Sequence, residues 1–112
     1  MLDIALIGAR LAHVLVATLR TDSGKVKAVA LAEAEGLAHA LARIAGLLAQ
    51  GQIDREEAAA LIRIQQDASE AVLASLAEIS RVAAHRAVGL GLKEIAGLLA
   101  DPNGGSLLGE LL

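Results

Sequence analysis

Three polar residues fall on helical faces that are otherwise apolar, and they are the first candidates for chemistry. Glu33 lies at helical spacing among the apolar residues of segment 24–50, and Gln65 and Arg86 lie similarly within segment 54–88. A carboxylate on a core face could be a metal ligand, a general acid or one half of a buried ion pair. A pair of Glu33 with Arg86 across a helix contact would fix the register of packing. The alternative is that these long side chains reach the rim of the core and stay hydrated.

Glu35 and His39 are half of a possible metal site, because residues four apart lie on the same side of a helix. Carboxylate-bridged di-metal bundles need a Glu-x-x-His unit on each of two helices and two further Glu residues. This chain has a single unit, its spacing differs, and it lies on a polar face, as His13 and His85 also do. A surface pair is therefore the simpler interpretation, and we predict no metal and no cofactor.

Other catalytic chemistry has little support. The chain has no cysteine, which excludes disulfides, thiolate zinc sites and thiol catalysis. Its glycines are isolated or terminal and form no Gly-rich phosphate loop. No arrangement of Ser, His and Asp can be argued from spacing alone. We therefore predict that the protein is not an enzyme and has no small-molecule substrate.

One segment resembles a known pattern. Residues 89–102 read GLGLKEIAGLLADP, which resembles the Gly-x-x-Leu-x-Glu-Ile-x-x-Leu-Leu stretch of MerR-type regulators and of helix-turn-helix proteins more generally. The resemblance covers about 14 of the 112 residues and implies a small DNA-binding or regulatory helical module. Those families also have a basic, aromatic-containing winged helix upstream, which this chain lacks.

The longest element that positions these residues is predicted over 54–88. Asp54 and Glu57 have the Asp-x-x-Glu spacing of a capping box, which marks the start of a helix. No Pro or Gly interrupts the segment, so we predict one helix of roughly 50 Å at about 1.5 Å per residue. Glycines at 89 and 91 are predicted to end it.

Two more helices are predicted before it, over about 2–20 and 24–50. Asp22 or Ser23 would cap the second of these helices, and Gly51 stands where a left-handed residue follows a helix. The predicted fold is thus all-α, a helical bundle of three long antiparallel helices (about 2–20, 24–50 and 54–88) plus a short C-terminal helix (about 92–100). It forms a single domain over 1–112, in which 101–112 are a turn and an apolar C-terminal tail.

Composition predicts that apolar surface is buried between chains. Apolar residues make up 55% of the sequence, and the mean hydropathy is +0.58. A long helix cannot cover its own apolar face, so we predict that the chain associates with itself as a dimer or higher oligomer. The predicted interface follows the long helix: Leu61, Ala68, Val72, Leu76, Ile79 and Val82.

The leading functional hypothesis is a non-enzymatic structural protein that acts through helix–helix packing in a homo-oligomer. The absence of aromatic residues fits a natural Ala/Leu-rich protein or a designed scaffold, and it removes base-stacking platforms. The formal charge of −3 and the scattered basic residues predict no nucleic-acid partner. No basic leader and no run of 18 apolar residues is seen, which predicts a cytoplasmic protein without a membrane span. The high hydropathy leaves a membrane-surface protein as an alternative, although the acidic charge disfavours anionic lipids.

Overall fold

Four long helices surround the core of the protein. The computed structural model describes residues 3–99 and 107–112. The helices are α1 (Ile4–Leu19), α2 (Gly24–Ala49), α3 (Arg55–Ala74), α4 (Arg81–Leu99) and the short α5 (Leu107–Leu111). In the described residues α1 contacts α2, α2 contacts α3, α3 contacts α4 and α4 contacts α1, whereas the diagonal pairs do not touch. The all-α class is confirmed for these residues, with four main helices where the sequence predicted three.

Small side chains let the helices of the core approach closely. Three alanines of α2 are completely buried: Ala30, Ala34 and Ala38. A Cβ built on Gly8 of α1 would lie 3.7 Å from the Ala38 Cβ, and one on Gly91 of α4 would lie 3.1 Å from Leu11 Cδ2. Short residues at a helix contact bring the axes to the low end of the usual separation of about 8–10 Å.

The starts of α2 and α3 follow the predicted caps. The Glu57 N–H donates to Asp54 Oδ1 at 2.8 Å, and the Asp54 N–H donates to Glu57 Oε1 at 3.1 Å, which confirms the capping box. Ser23 caps α2, because its Oγ accepts from the Val26 N–H at 3.3 Å. Gly51 has φ +72°, the left-handed conformation that the sequence predicted.

The predicted single helix over 54–88 is wrong, because the chain reverses at 75–80. After α3 ends, the Ser75 hydroxyl donates to the Val72 carbonyl oxygen at 2.6 Å. Ser80 then caps α4, since its Oγ accepts from the Ala83 N–H at 3.0 Å. Serine hydroxyls favour helix ends because they replace hydrogen bonds that the backbone lacks there. Two serines therefore end and restart the helix without Pro or Gly.

The reversal lets both halves of segment 54–88 pack on the same core. A continuous helix over 54–88 would span roughly 50 Å, whereas the longest dimension of the molecule is 41 Å. Folding back at 75–80 buries Leu73 and Ile79 in the same core as Val88 and Ile95. The pattern of apolar residues does not mark this break, because Leu73 and Ala84 are 11 residues apart, close to three helical turns.

The predicted break at 89–91 and the separate helix over 92–100 are also wrong, since α4 runs without interruption from Arg81 to Leu99. Residues 1–2, Ala100 and the turn predicted at 101–105 lie outside the described residues. In the apolar tail, α5 contacts α2, α3 and α4, and its Leu108 is buried. No helix among the described residues has both the length and the apolar character that crossing a membrane requires.

Candidate functional site

The proposed register pair of Glu33 and Arg86 does not form. Glu33 is half-buried on α2, and Arg86 is exposed on α4. The reversal at 75–80 places Arg86 on the helix diagonally opposite α2, and these two helices make no contact among the described residues. Gln65 is half-buried on α3. Arg86 is therefore available for a different role.

The histidines do not assemble a metal centre. Glu35 and His39 are both exposed, and they line a shallow groove between α1 and α2. His85 Nδ1 pairs with the largely buried carboxylate of Glu70, which links α4 to α3 and could not be read from the sequence. In the described part of the chain, no three His, Asp or Glu residues are grouped as a metal ion requires.

The reversal divides the predicted interface residues between two helices and a turn. Ala68 and Val72 are exposed on α3, and Val82 is exposed on α4. Leu61 and Leu76 are half-buried, and Ile79 is buried in the core of its own chain. The six residues do not form the single continuous face from which the interface was predicted. Their role in association stays a prediction.

Helix α3 has a second apolar face on the side away from the core. Its buried side consists of Ala58, Ile62, Ser69 and Leu73. On the outside lie four exposed residues that we call the α3 outer stripe: Ile64, Ala68, Ala71 and Val72. Ile64 is 59% exposed and Val72 40% exposed. The spacing i, i+4, i+7 and i+8 is that of a helix face that packs on another element. Ile64 was not predicted to be part of an interface, because the predicted face was centred between Leu61 and Val72.

The α3 outer stripe lies in the acidic part of the chain. Residues 54–78 contain six acidic and two basic residues, whereas the rest of the chain contains seven acidic and eight basic residues. Of the two basic residues, Arg55 pairs with Glu110 at 2.8 Å, and Arg63 is exposed on α3 next to Ile64. Asp67 is exposed and stands three residues after Ile64, at the edge of the stripe. The stripe is thus an apolar surface in an acidic segment, with Asp67 at its edge, and its Ala71 lies beside a groove that Arg81 and His85 also line.

A basic surface lies between α1 and α4, near the C-terminal end of α1. It is an open groove of about 460 Å³, lined by Ala17, Thr18, Arg20, Arg86 and Leu90, and we call it the arginine groove. Both arginines are exposed, and neither forms an ion pair within residues 3–99 and 107–112. Leu90 is 45% exposed and supplies an apolar wall beside the two cations.

Arg20 is held in an unusual backbone conformation. Its φ of 50° and ψ of 45° are left-handed, and no other non-glycine residue in the described ranges has a positive φ. The conformation ends α1, with the Arg20 N–H donating to the Val16 carbonyl oxygen at 3.1 Å. Glycine is the usual residue there, since a side chain costs roughly 1–2 kcal/mol in this region. Strain of this kind is concentrated at functional positions.

The segment that resembles MerR-type regulators forms the second half of α4. Its Gly91, Leu92 and Ile95 are buried in the bundle, and Lys93 and Glu94 are exposed. DNA binding by this segment stays a prediction, and a titration of duplex DNA at increasing salt tests it. Comparisons with protein-family models, with curated proteins and with solved structures find no match to this chain. Function is therefore inferred from the surfaces described above.

Proposed function

We propose that the protein is a non-enzymatic helical association protein that acts by packing against further copies of itself. The observation that supports this function is the α3 outer stripe, whose four apolar residues have the spacing of a packing face and are exposed. A cluster of exposed apolar residues with a polar border is characteristic of an interaction site.

The free energy gained by covering the α3 outer stripe indicates how large the interface must be. Complete burial of a Val or Ile side chain contributes about 1.5–3 kcal/mol, and Ile64 and Val72 already have about half of their surface covered. The stripe therefore supplies only a few kcal/mol. Micromolar affinity corresponds to about 8 kcal/mol after the cost of association has been met. A stable oligomer must add contacts around the stripe, including contacts made by charged residues.

Molar mass in solution tests the proposal. Size-exclusion chromatography with light scattering suits this chain when refractive index reports concentration, because it has no aromatic residues. We expect a mass of at least two chains at micromolar concentration. Val72→Asp should reduce the mass to that of one chain and leave the helical circular dichroism at 222 nm unchanged, because Val72 is 40% exposed.

Leu31→Asp is the matched control, since Leu31 is 55% exposed on α2 and lies outside the stripe. This variant should keep the mass of the wild type. A wild-type protein that has the mass of a single chain over the whole micromolar range would contradict the proposed function.

A further inference from the structure

We infer that self-association is head to tail, with the α3 outer stripe of one copy docked in the arginine groove of the next. The inference rests on the proposed function and names the two surfaces that meet. Such an interface joins two different surfaces, so each copy has one of each left to use. The alternative is a two-fold dimer in which the stripe packs against the same stripe of a second copy.

Charge favours the groove over a second stripe as the partner. The stripe lies in segment 54–78, where acidic residues exceed basic ones by six to two. Packing two such segments against each other places like charges side by side, which costs binding energy. The groove offers Arg20 and Arg86, and guanidinium groups pair with carboxylates through two parallel hydrogen bonds. Neither arginine forms an ion pair with the described residues of its own chain.

The spacing of an apolar and a charged residue on α3 also matches the spacing of such a pair on α4. On α3, Asp67 stands three residues after Ile64, and on α4, Leu90 stands four residues after Arg86. Residues three or four apart are neighbours on one helix face, about one turn of 5.4 Å from each other. Ile64 can therefore pack on Leu90 while the Asp67 carboxylate reaches the Arg86 guanidinium. The two contacts supply the apolar and the ionic part of one interface.

The positions of the two surfaces allow a chain of copies. The stripe faces outward from α3, and the groove lies between α1 and α4. Helix α1 is the diagonal neighbour of α3 and does not contact it in the described residues. One molecule can therefore use its stripe and its groove at the same time. A head-to-tail interface of this kind produces a closed ring or an open filament.

Two variants that each lose one surface test the inference. Ile64→Lys puts a positive charge on the stripe, and Arg86→Glu puts a negative charge in the groove; both residues are exposed, so the fold should be retained. Each variant alone should have the mass of a single chain, with at least about tenfold weaker self-association. An equimolar mixture should contain a dimer with one chain of each variant and no larger species, because only one intact stripe and one intact groove can meet.

Leu31→Lys and Arg43→Glu are the matched controls, because they make the same changes at exposed positions of α2. Both should keep the mass of the wild type, and circular dichroism at 222 nm should be the same for all variants.

The outcomes separate the inference from the proposed function. If Arg86→Glu alone keeps the mass of the wild type while Ile64→Lys is a single chain, the stripe pairs with itself and the inference is overturned, whereas the proposed function stands. If neither variant changes the mass, other surfaces form the oligomer and the inference is again overturned. A wild type with the mass of one chain overturns both.

Discussion

Substitutions of Gly89 and Gly91 test whether α4 is a continuous helix or has the break that the sequence predicts at these glycines. A Cβ added at Gly89 would meet no atom within 4 Å. Alanine is favoured over glycine inside a helix by about 0.8–1.0 kcal/mol. Gly89→Ala should therefore stabilise the protein by about 1 kcal/mol, which raises the melting temperature by roughly 3–5 °C in a domain of this size.

Gly91→Ala makes the same chemical change two residues later and should have the opposite sign. Its Cβ would lie 3.1 Å from Leu11 Cδ2, and Leu11 is completely buried. Overpacking of a core costs about 1–3 kcal/mol, against the gain of about 1 kcal/mol in helix propensity. We expect Gly91→Ala to lower the stability by about 0–2 kcal/mol as the balance of these two terms.

Urea unfolding followed by circular dichroism at 222 nm measures both variants. The free energies of unfolding should differ by about 1–3 kcal/mol between them, with Gly89→Ala the more stable. The reasoning is refuted if Gly89→Ala destabilises the protein, which a helix end at these glycines would produce. It is equally refuted if Gly91→Ala stabilises the protein as much as Gly89→Ala does.

Three more substitutions test the orientation of α3 and the backbone strain at the arginine groove. Leu73→Ala should lower the free energy of unfolding by about 2–5 kcal/mol because Leu73 is completely buried. Val72→Ala on the α3 outer stripe should lower it by less than about 1 kcal/mol. Equal losses of stability in urea unfolding would mean that α3 is oriented differently. Arg20→Gly should raise the stability by about 0.5–1 kcal/mol, since the relief of a left-handed side chain exceeds the added entropy of the unfolded chain. The same variant should weaken self-association in light scattering, and unchanged association would remove Arg20 from the interface.

Local signals in the sequence predicted the helix ends that a glycine or a second capping group marks, as at Ser23, Gly51 and Asp54. The side chains of Asp54 and Glu57 each accept a hydrogen bond from the backbone N–H of the other residue. This reciprocal pair is visible as a spacing in the sequence. Ser80 is also a cap, but Ala83 stands three residues later, so the reciprocal half of the signal is missing. The reversal between α3 and α4 was missed for this reason, and because no glycine or proline marks it.

The buried face of α3 was misjudged because bulky apolar residues lie on both sides of the helix: Ile62 and Leu73 face the core, and Ile64 and Val72 face outward. Leu61, Val72 and Ile79 defined the predicted face, whereas the α3 side that meets the other helices includes Ala58 and Ser69. Small residues are buried where helix backbones come close, and that distance depends on the neighbouring helix. Tertiary packing, which sequence periodicity does not contain, therefore decides the orientation of α3.

The arginine groove has no counterpart in the sequence. Arg20 and Arg86 are 66 positions apart, and they line one groove because α4 returns along α1. The uneven distribution of acidic residues was present in the sequence, but the net charge of −3 conceals it. The charge of each segment, unlike the net charge of the whole chain, marks the acidic segment in the sequence.

On the proposed head-to-tail contact, the acidic surplus of segment 54–78 should also affect how two copies approach each other. Arg20 and Arg86, which form no ion pair with the described residues, lie on another side of the bundle, so the charge distribution gives the protein an electric dipole across its helices. Two approaching molecules are turned by this dipole so that the negative side of one faces the positive side of the other. The electrostatic field acts over about 10 Å at 0.1 M salt, so ionic strength controls the rate of productive encounters more strongly than it controls the lifetime of the contacts that form.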